Sequence, residues 1–266
     1  MADLTKVSGV ANADIEKIDG VAVADIEKIA GVDMPSGITL TTWCAVSRDG
    51  HVATMTSSLN CTDDGTGAGV CGIATWSEYT QPDTSSDYTN IAFGQDGSGG
   101  ALFVATRNAA GGEIAYSADP TVAGSFTIVN VAFTELNCGD WGNNKWILMG
   151  NMANKKLATG SNGASWGEVD LSGVDGISTT DVTAIATNGD GTWIFGQADR
   201  IYSSTNDGAA WALAHDFDDG RLIKDLAHTK DTGSNSVFAM AYNTGASNDG
   251  HAARAKASDL TSWHST

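Results

Sequence analysis

Proline is nearly missing from this chain, with three residues in 266 against 32 glycines. That balance excludes long Pro-rich linkers and favours many tight turns. Positive charge is also short. Fourteen Lys and Arg face 32 Asp and Glu, a net charge of −18. A phosphate backbone or an anionic bilayer would be repelled, so nucleic acid and membrane surfaces are not expected partners. No stretch reaches the ~20 apolar residues that span a bilayer. Met1-Ala2-Asp3-Leu4 lacks the basic-then-apolar order of a secretory signal. The four cysteines (Cys44, Cys61, Cys71, Cys138) show no CxxC spacing. All four are expected to be small buried residues. Cys61 and Cys71, flanking Thr62–Val70, are able to bridge in an oxidising medium.

What the chain does have is a repeated strand-and-turn unit. Asp181–Phe217 shows it best. Val182–Ala186 alternates, Asn188-Gly189-Asp190-Gly191 turns, and Trp193-Ile194-Phe195 restarts a strand. Ala198-Asp199-Arg200 turns again into Ile201-Tyr202-Ser203, and Asn206-Asp207-Gly208 precedes Trp211-Ala212-Leu213. Strand-sized apolar runs bounded by Gly, Asn and Asp read as consecutive antiparallel hairpins.

The apolar second strand recurs five times, at His51–Met55, Ala101–Ala105, Trp146–Gly150, Trp193–Gly196 and Ser236–Ala241. Each copy follows a turn rich in Gly, Asn or Asp, and the spacing is about 43 to 50 residues. Repeats of that length with four short strands each are the signature of propeller blades. The expected fold is therefore all-β, a propeller of about five four-stranded blades over residues 36–266. Six blades are the fallback if residues 57–90 conceal another. The fifth unit is expected to stop after Trp263, one strand short, while Ile38–Trp43 reads as a spare strand ahead of the first unit. Pairing the two would close the ring and hide both edges.

Residues 1–35 form a separate arm. Lys6–Glu16 (KVSGVANADIE), Lys17–Glu27 (KIDGVAVADIE) and Lys28–Val32 (KIAGV) repeat with period 11. The period suits helix, but Gly9, Gly20 and Gly31 would interrupt it at ~1 kcal/mol each. Very short helical turns are expected at Asp14–Ile18 and Asp25–Ile29. Val10, Ile15, Ile18, Val21, Ile26 and Ile29 are too few to bury one another, so the arm should dock on another chain or on its own copies, with packing against its own globular domain as the alternative.

Four units end in a second marker. Ser204–Trp211 (STNDGAAW) resembles the Asp-box, Ser-x-Asp-x-Gly-x-Thr-Trp, of sialidase-like propellers. Thr159–Trp166 (TGSNGASW) is a looser copy with Ser161 at the Asp position and Gly163 and Trp166 in place. Ser117–Phe126 keeps Ser117 and Asp119 but carries an insertion, with Phe126 for Trp. Ala257–Trp263 is one residue short, with Asp259 and Trp263. Ser204, Asn206, Gly208 and Trp211 would hold the turn between the third and fourth strands. The resemblance implies a structural role away from any catalytic face.

Catalytic residues are not expected. The family's arginine triad does not map onto Arg48, Arg107, Arg200, Arg221 and Arg254, of which only Arg221 lies near the start of an innermost strand. Gly163-Ala164-Ser165-Trp166-Gly167 fits G-x-S-x-G but falls inside an Asp-box turn, not between a strand and a helix. Gly97–Gly100 reads as a hairpin turn, not a phosphate loop. The five histidines form no close metal-ligand pair. Asp63-Asp64-Gly65 and Asp218-Asp219-Gly220 read as solvated turns rather than Ca²⁺ loops. No metal or cofactor is expected. Tyr79, Tyr88, Tyr116 and Trp141 read as core, with sugar stacking as the alternative.

The arm repeats resemble those of virion structural proteins of tailed phages, marine phages in particular. That resemblance implies a non-enzymatic virion component of the tail, baseplate, fibre or capsid decoration. Its arm would attach to other virion proteins, and its outward-facing propeller, a homo-oligomer in the particle, would contact host surface glycans. The alternatives are a stand-alone glycan-binding lectin and a glycan-cleaving enzyme.

Overall fold

The computed structural model describes residues 6–7, 10–11, 17–18, 21–22, 28–29, 32–33, 42–46, 51–56, 61–62, 70–71, 77–80, 87–109, 112–131, 135–230, 235–244 and 250–265. In the arm, β1 (Lys6–Val7) pairs with β2 (Val10–Ala11), β3 (Lys17–Ile18) with β4 (Val21–Ala22), and β5 (Lys28–Ile29) with β6 (Val32–Asp33). These ladders correct the expectation of helical turns, since Ile18 and Ile29 stand in strands. Two residues separate the members of each pair, Ser8-Gly9, Asp19-Gly20 and Ala30-Gly31. X-Gly at that place is the chemistry of a two-residue hairpin, and it overrides the helix period. Val10 and Val21 lie in the return strands; Ile15 and Ile26 fall outside the described residues.

Five antiparallel sheets follow in chain order. The first holds β7 (Thr42–Val46), β8 (His51–Thr56) and β11 (Ser77–Thr80), with the small hairpin β9 (Cys61–Thr62) and β10 (Val70–Cys71) inserted ahead of β11. The second is β12 (Asp87–Gln95), β13 (Ala101–Asn108), β14 (Glu113–Ser117) and β15 (Thr127–Asn130). The third is β16 (Leu136–Gly142), β17 (Lys145–Gly150), β18 (Lys156–Gly160) and β19 (Gly167–Asp170). The fourth is β20 (Val182–Thr187), β21 (Trp193–Gln197), β22 (Arg200–Ser204) and β23 (Ala212–Asp216). The fifth is β24 (Arg221–Lys230), β25 (Ser236–Thr244), β26 (Gly250–Lys256) and β27 (Asp259–Ser265). Within the second to fifth sheets the strands are ordered as in the sequence. All five expected second strands are second strands.

Two details differ from the expectation among the described residues. The first sheet has three strands among the described residues. Between β8 and β11 the described residues are those of the β9–β10 hairpin. That hairpin is also all that 57–76 adds among the described residues, so it is not a sixth blade. Among the described residues the two ends of the chain exchange no strand. Thr42–Val46 pairs with β8 in its own sheet, and β27 completes the fifth sheet by pairing with β26. The Lys256↔Asp259 pair leaves only Ala257-Ser258 as the turn. The shortened box thus becomes part of a strand, and Trp263 lies inside β27 rather than before it.

Burial explains the composition of the strands. β17 is buried from Trp146 to Gly150 and β21 along its whole length, while the fourth strands β15, β19 and β23 are largely exposed or half-buried. A strand covered on both faces has no polar side, so it reads as a continuous apolar run instead of an alternating one. Four cores lie between consecutive sheets. Val52 and Phe103 join the first to the second, and Leu102 and Trp146 the second to the third. Ile147 and Trp193 join the third to the fourth, and Ile194 and Phe238 the fourth to the fifth. Burying one such aromatic or aliphatic side chain contributes about 1.5–3 kcal/mol.

Candidate functional site

The first strands of successive sheets lie beside one another. Each of β12, β16, β20 and β24 carries a β-bulge at its beginning, at Thr89, Asn137, Thr183 and Lys224. A bulge leaves one residue unpaired in the ladder and re-aims its side chain. Two of these side chains reach the next sheet. Thr89 Oγ1 donates to Leu136 O at 2.9 Å and Thr183 Oγ1 to Ile223 O at 2.7 Å. Glycines let the sheets approach. A Cβ on Gly94 would stand 2.1 Å from the Trp141 ring, on Gly142 2.6 Å from Thr187, and on Gly196 2.6 Å from Ile223.

Asp140 lies among these first strands. Trp141 N donates to Oδ1 at 2.8 Å and Thr187 N, from the fourth sheet, to Oδ2 at 3.1 Å. Burial pushes its carboxyl up to about 7, against the two backbone donors that hold it down. No cluster of three or more His, Cys, Asp or Glu fit to hold a metal occurs among the described residues.

The Asp-box residues build turns between third and fourth strands, and their geometry is local. Ser204 Oγ accepts from Gly208 N at 2.9 Å and donates to Asn206 Oδ1 at 2.9 Å. Asn206 Oδ1 also accepts from Ala210 N at 2.9 Å, and Gly208 takes φ 74°. In the looser copy the acceptor is Asn162, not Ser161, since Ala164 N and Ser165 N both donate to Asn162 Oδ1. The one-residue shift leaves Thr159 Oγ1, the counterpart of Ser204, buried without a partner. Ser117 Oγ accepts from Asp119 N and donates to Ser125 Oγ at 2.9 Å; Asp119 Oδ1 accepts from Thr121 N at 3.0 Å. Asp259 Oδ1 accepts from Thr261 N at 3.2 Å. One contact recurs in every copy that keeps the tryptophan. The indole N–H donates to the carbonyl three residues back in Trp166→Gly163, Trp211→Gly208 and Trp263→Leu260, at 2.9 to 3.0 Å.

These turns dock on the preceding sheet. A Cβ on Gly208 would meet Ile147 Cδ1 at 2.3 Å, and one on Gly163 would meet the Tyr116 ring at 2.3 Å. Asn143 Nδ2 donates to both Asp207 oxygens, at 2.8 and 2.9 Å, and Lys145 Nζ to Asp207 O at 2.8 Å. The boxes therefore hold sheet to sheet. Sequence reasoning missed Asp207, because the motif assigns that position no partner.

The remaining candidates fall into place. Arg107 is fully buried and pairs with Glu113; Arg200 pairs with Asp216 and Arg221 with Asp219. Tyr88 is buried, while Tyr116 and Trp141 are half-buried against the core between the second and third sheets. Cys138 is buried and Cys44 half-buried; burial pushes the Cys44 thiol up to about 12 and raises that of Cys138 as well. Cys61 and Cys71 are Cα partners in the β9–β10 ladder. The Gly97–Gly100 turn is closed by Asp96 Oδ1, which accepts from Ser98 N and Gly100 N.

Two grooves open on the outside of the sheets. One of about 410 Å³ runs between β15 and the Trp166 turn, lined by Asn130, Ser165, Trp166 and Glu168. The other, about 380 Å³, lies on the fifth sheet between Arg254, Lys256, Asp259, Ser262 and His264, with Val237 and Ala255 beneath.

Successive four-stranded sheets packed face to face through bulged first strands are the anatomy of propeller blades, and solved structures bear this out. The chain is similar to a structure described as YCF48 bound to D1 peptide, with TM-score 0.50 and 10% identity over 83% of this chain and 62% of that one. It is also similar to the WD40 beta propeller domain of Doa1, with TM-score 0.52 and 14% identity over 83% of this chain and 63% of that one. The chain is a β-propeller. It spans under two thirds of the length of either propeller. No family model and no curated protein matches it.

Proposed function

We propose that this propeller is a non-catalytic display module of a tailed-phage virion, fastened to other particle proteins by residues 1–35 and turned outward toward host surface glycans. The observation that carries this reading is the isolation of the arm ladders. Each KVxGVA-type repeat pairs only with itself, as a two-stranded sheet of two residues per strand, hydrogen-bonded to no blade among the described residues. An isolated two-stranded ladder is marginal at best in water, so three in tandem call for a partner surface. The repeats resemble those of phage structural proteins, and the net charge of −18 suits a module that stays soluble while displayed.

Deleting residues 1–35 is expected to abolish incorporation into particles while the remaining chain keeps its β signature and a cooperative unfolding transition. A truncated chain that still assembles into particles overturns the reading.

A further inference from the structure

Among the described residues the fifth sheet differs from the second, third and fourth in having one open face. Along β26 burial alternates, with Ala253 and Ala255 packed on the fourth sheet while Ala252, Arg254 and Lys256 are exposed on the other side. β27 repeats this, with Leu260 buried and Ser262 and His264 exposed. The register sets Arg254 opposite His264, and Lys256 between Val237 and Asp259. The groove of about 380 Å³ lies among these side chains.

Its cations stand close together. Arg107, Arg200 and Arg221 each hold a carboxylate, whereas among the described residues neither Arg254 nor Lys256 has one within ion-pair distance. In a chain of net charge −18, two unpaired cations and a histidine share one small groove. The single acid there is already engaged. Asp259 Oδ1 accepts from Thr261 N and, at 2.6 Å, from Thr261 Oγ1; the Thr261 and Ser262 hydroxyls hold its carboxyl below the usual range, with His264 adding to the effect.

We infer that this groove binds a sugar unit bearing one carboxylate, a uronic acid of an acidic polysaccharide. Arg254 and Lys256 take the carboxylate by charge-assisted hydrogen bonds. Ser262 and the fixed Asp259 meet ring hydroxyls, and Val237, the cross-strand partner of Lys256, floors the site. Asp259 is what selects this class, because a fixed negative charge beside the cations repels a phosphate dianion or a polyacidic peptide and accepts from a neutral hydroxyl. The volume is at the small end of ligand sites and fits one or two sugar units rather than a folded partner.

This inference rests on the outward-display reading for its biological setting but not for its test, which uses the free full-length chain and reads no assembly. Isotope-labelled protein is titrated with glucuronate and, in parallel, with glucose, which differs only in having CH₂OH for the carboxylate. Glucuronate is expected to move the backbone resonances of Arg254, Lys256 and His264 along a saturating curve, and glucose at least tenfold less. Arg254→Ala and Lys256→Ala, both exposed and so compatible with the fold, should each weaken glucuronate at least tenfold with an unchanged unfolding midpoint. Asp259→Asn should strengthen inorganic phosphate more than glucuronate, because the repulsion removed is larger for a dianion. Equal response to glucose, absence of saturation, insensitivity to both cation variants, or tighter binding of phosphate or of a polyglutamate peptide by the unaltered chain overturns the inference. Loss of particle incorporation by the arm deletion, or its retention, leaves these outcomes unaffected.

Discussion

Thr183, the bulged residue of β20, donates its hydroxyl to the backbone carbonyl of Ile223, the residue immediately before the bulge of β24, at 2.7 Å. Thr89 stands in the same relation to Leu136, at 2.9 Å. An irregularity inside one blade thus becomes a hydrogen bond to the next. In the third sheet Asn137 occupies the bulge, and it is the Cys138 thiol that approaches Val182 O, at 4.0 Å. Lys224 holds the position in the fifth sheet and is exposed.

Thr183→Val keeps the branched shape and removes the donor. The expected loss is about 1 kcal/mol, the usual net worth of a hydrogen bond, with a Tm lowered by roughly 2–4 °C. Thr89→Val should cost a similar amount. Urea denaturation followed by tryptophan fluorescence checks both, and unchanged midpoints would remove the bulge threonines from the account of blade cohesion.

Asp140 links stability to pH with a definite sign. Its folded pKa of about 7 lies above the ordinary value of 3.8, so between these limits the folded chain binds the proton more tightly than the unfolded one. Stability should therefore fall as pH rises from about 4 through 7, with the full cost of the buried charge felt above that. Exposed Asp170, Asp216, Asp219 and Asp259 are shifted the other way by their hydrogen bonds and lose their contribution as pH drops below about 4. Asp140→Asn should flatten the profile between pH 4 and 7 and stabilise the chain at pH 8. Thermal melts across that range decide it; parallel profiles would show that Asp140 does not carry the effect.

Gly208 and Gly163 are both abutted by the preceding blade, but only Gly208 has positive φ. Gly208→Ala is expected to cost about 2–4 kcal/mol, from left-handed backbone and overpacking together. Gly163→Ala, with overpacking alone, should cost about 1–3 kcal/mol. Ile147→Val deletes the Cδ1 that a Cβ at 208 would strike, so the double variant should recover part of the loss. Additive costs in the double-mutant cycle would mean that Ile147 is not the obstacle.

The acceptor shift in the third sheet's box can be tested by exchange of roles. Asn162→Ala should cost about 1 kcal/mol because two backbone N–H groups lose their acceptor, while Ser161→Ala should stay within about 0.5 kcal/mol of the parent. The reverse ranking would restore Ser161 to the Asp position.

How much of this was legible follows from how local each feature is. All five second strands were visible, because a strand covered on both faces is a run such as Trp146–Gly150 with turn residues ahead of it. The Asp-box turns were visible because their bonds join residues two to four apart, as in Ser204 to Gly208. The fifth sheet's last strand was not, since Asp259–Ser265 is polar on its exposed side and carries its marker tryptophan within itself. The arm misled for a similar reason, its X-Gly pairs outweighing a period that suited helix. The candidate groove was invisible too: Arg254 and His264 meet only through the register of β26 and β27.

The amino-acid sequence alone determined the repeat, the number of units and the residues that turn the chain, because periodicity and turn chemistry act over a few bonds. Only the tertiary structure decided which threonine reaches which carbonyl, which glycine is pressed by which side chain, and that the last blade completes itself and leaves a charged face open. Those contacts join residues about 40 apart, such as Thr183 and Ile223. They depend on how one twisted sheet settles on the next, which no local pattern records.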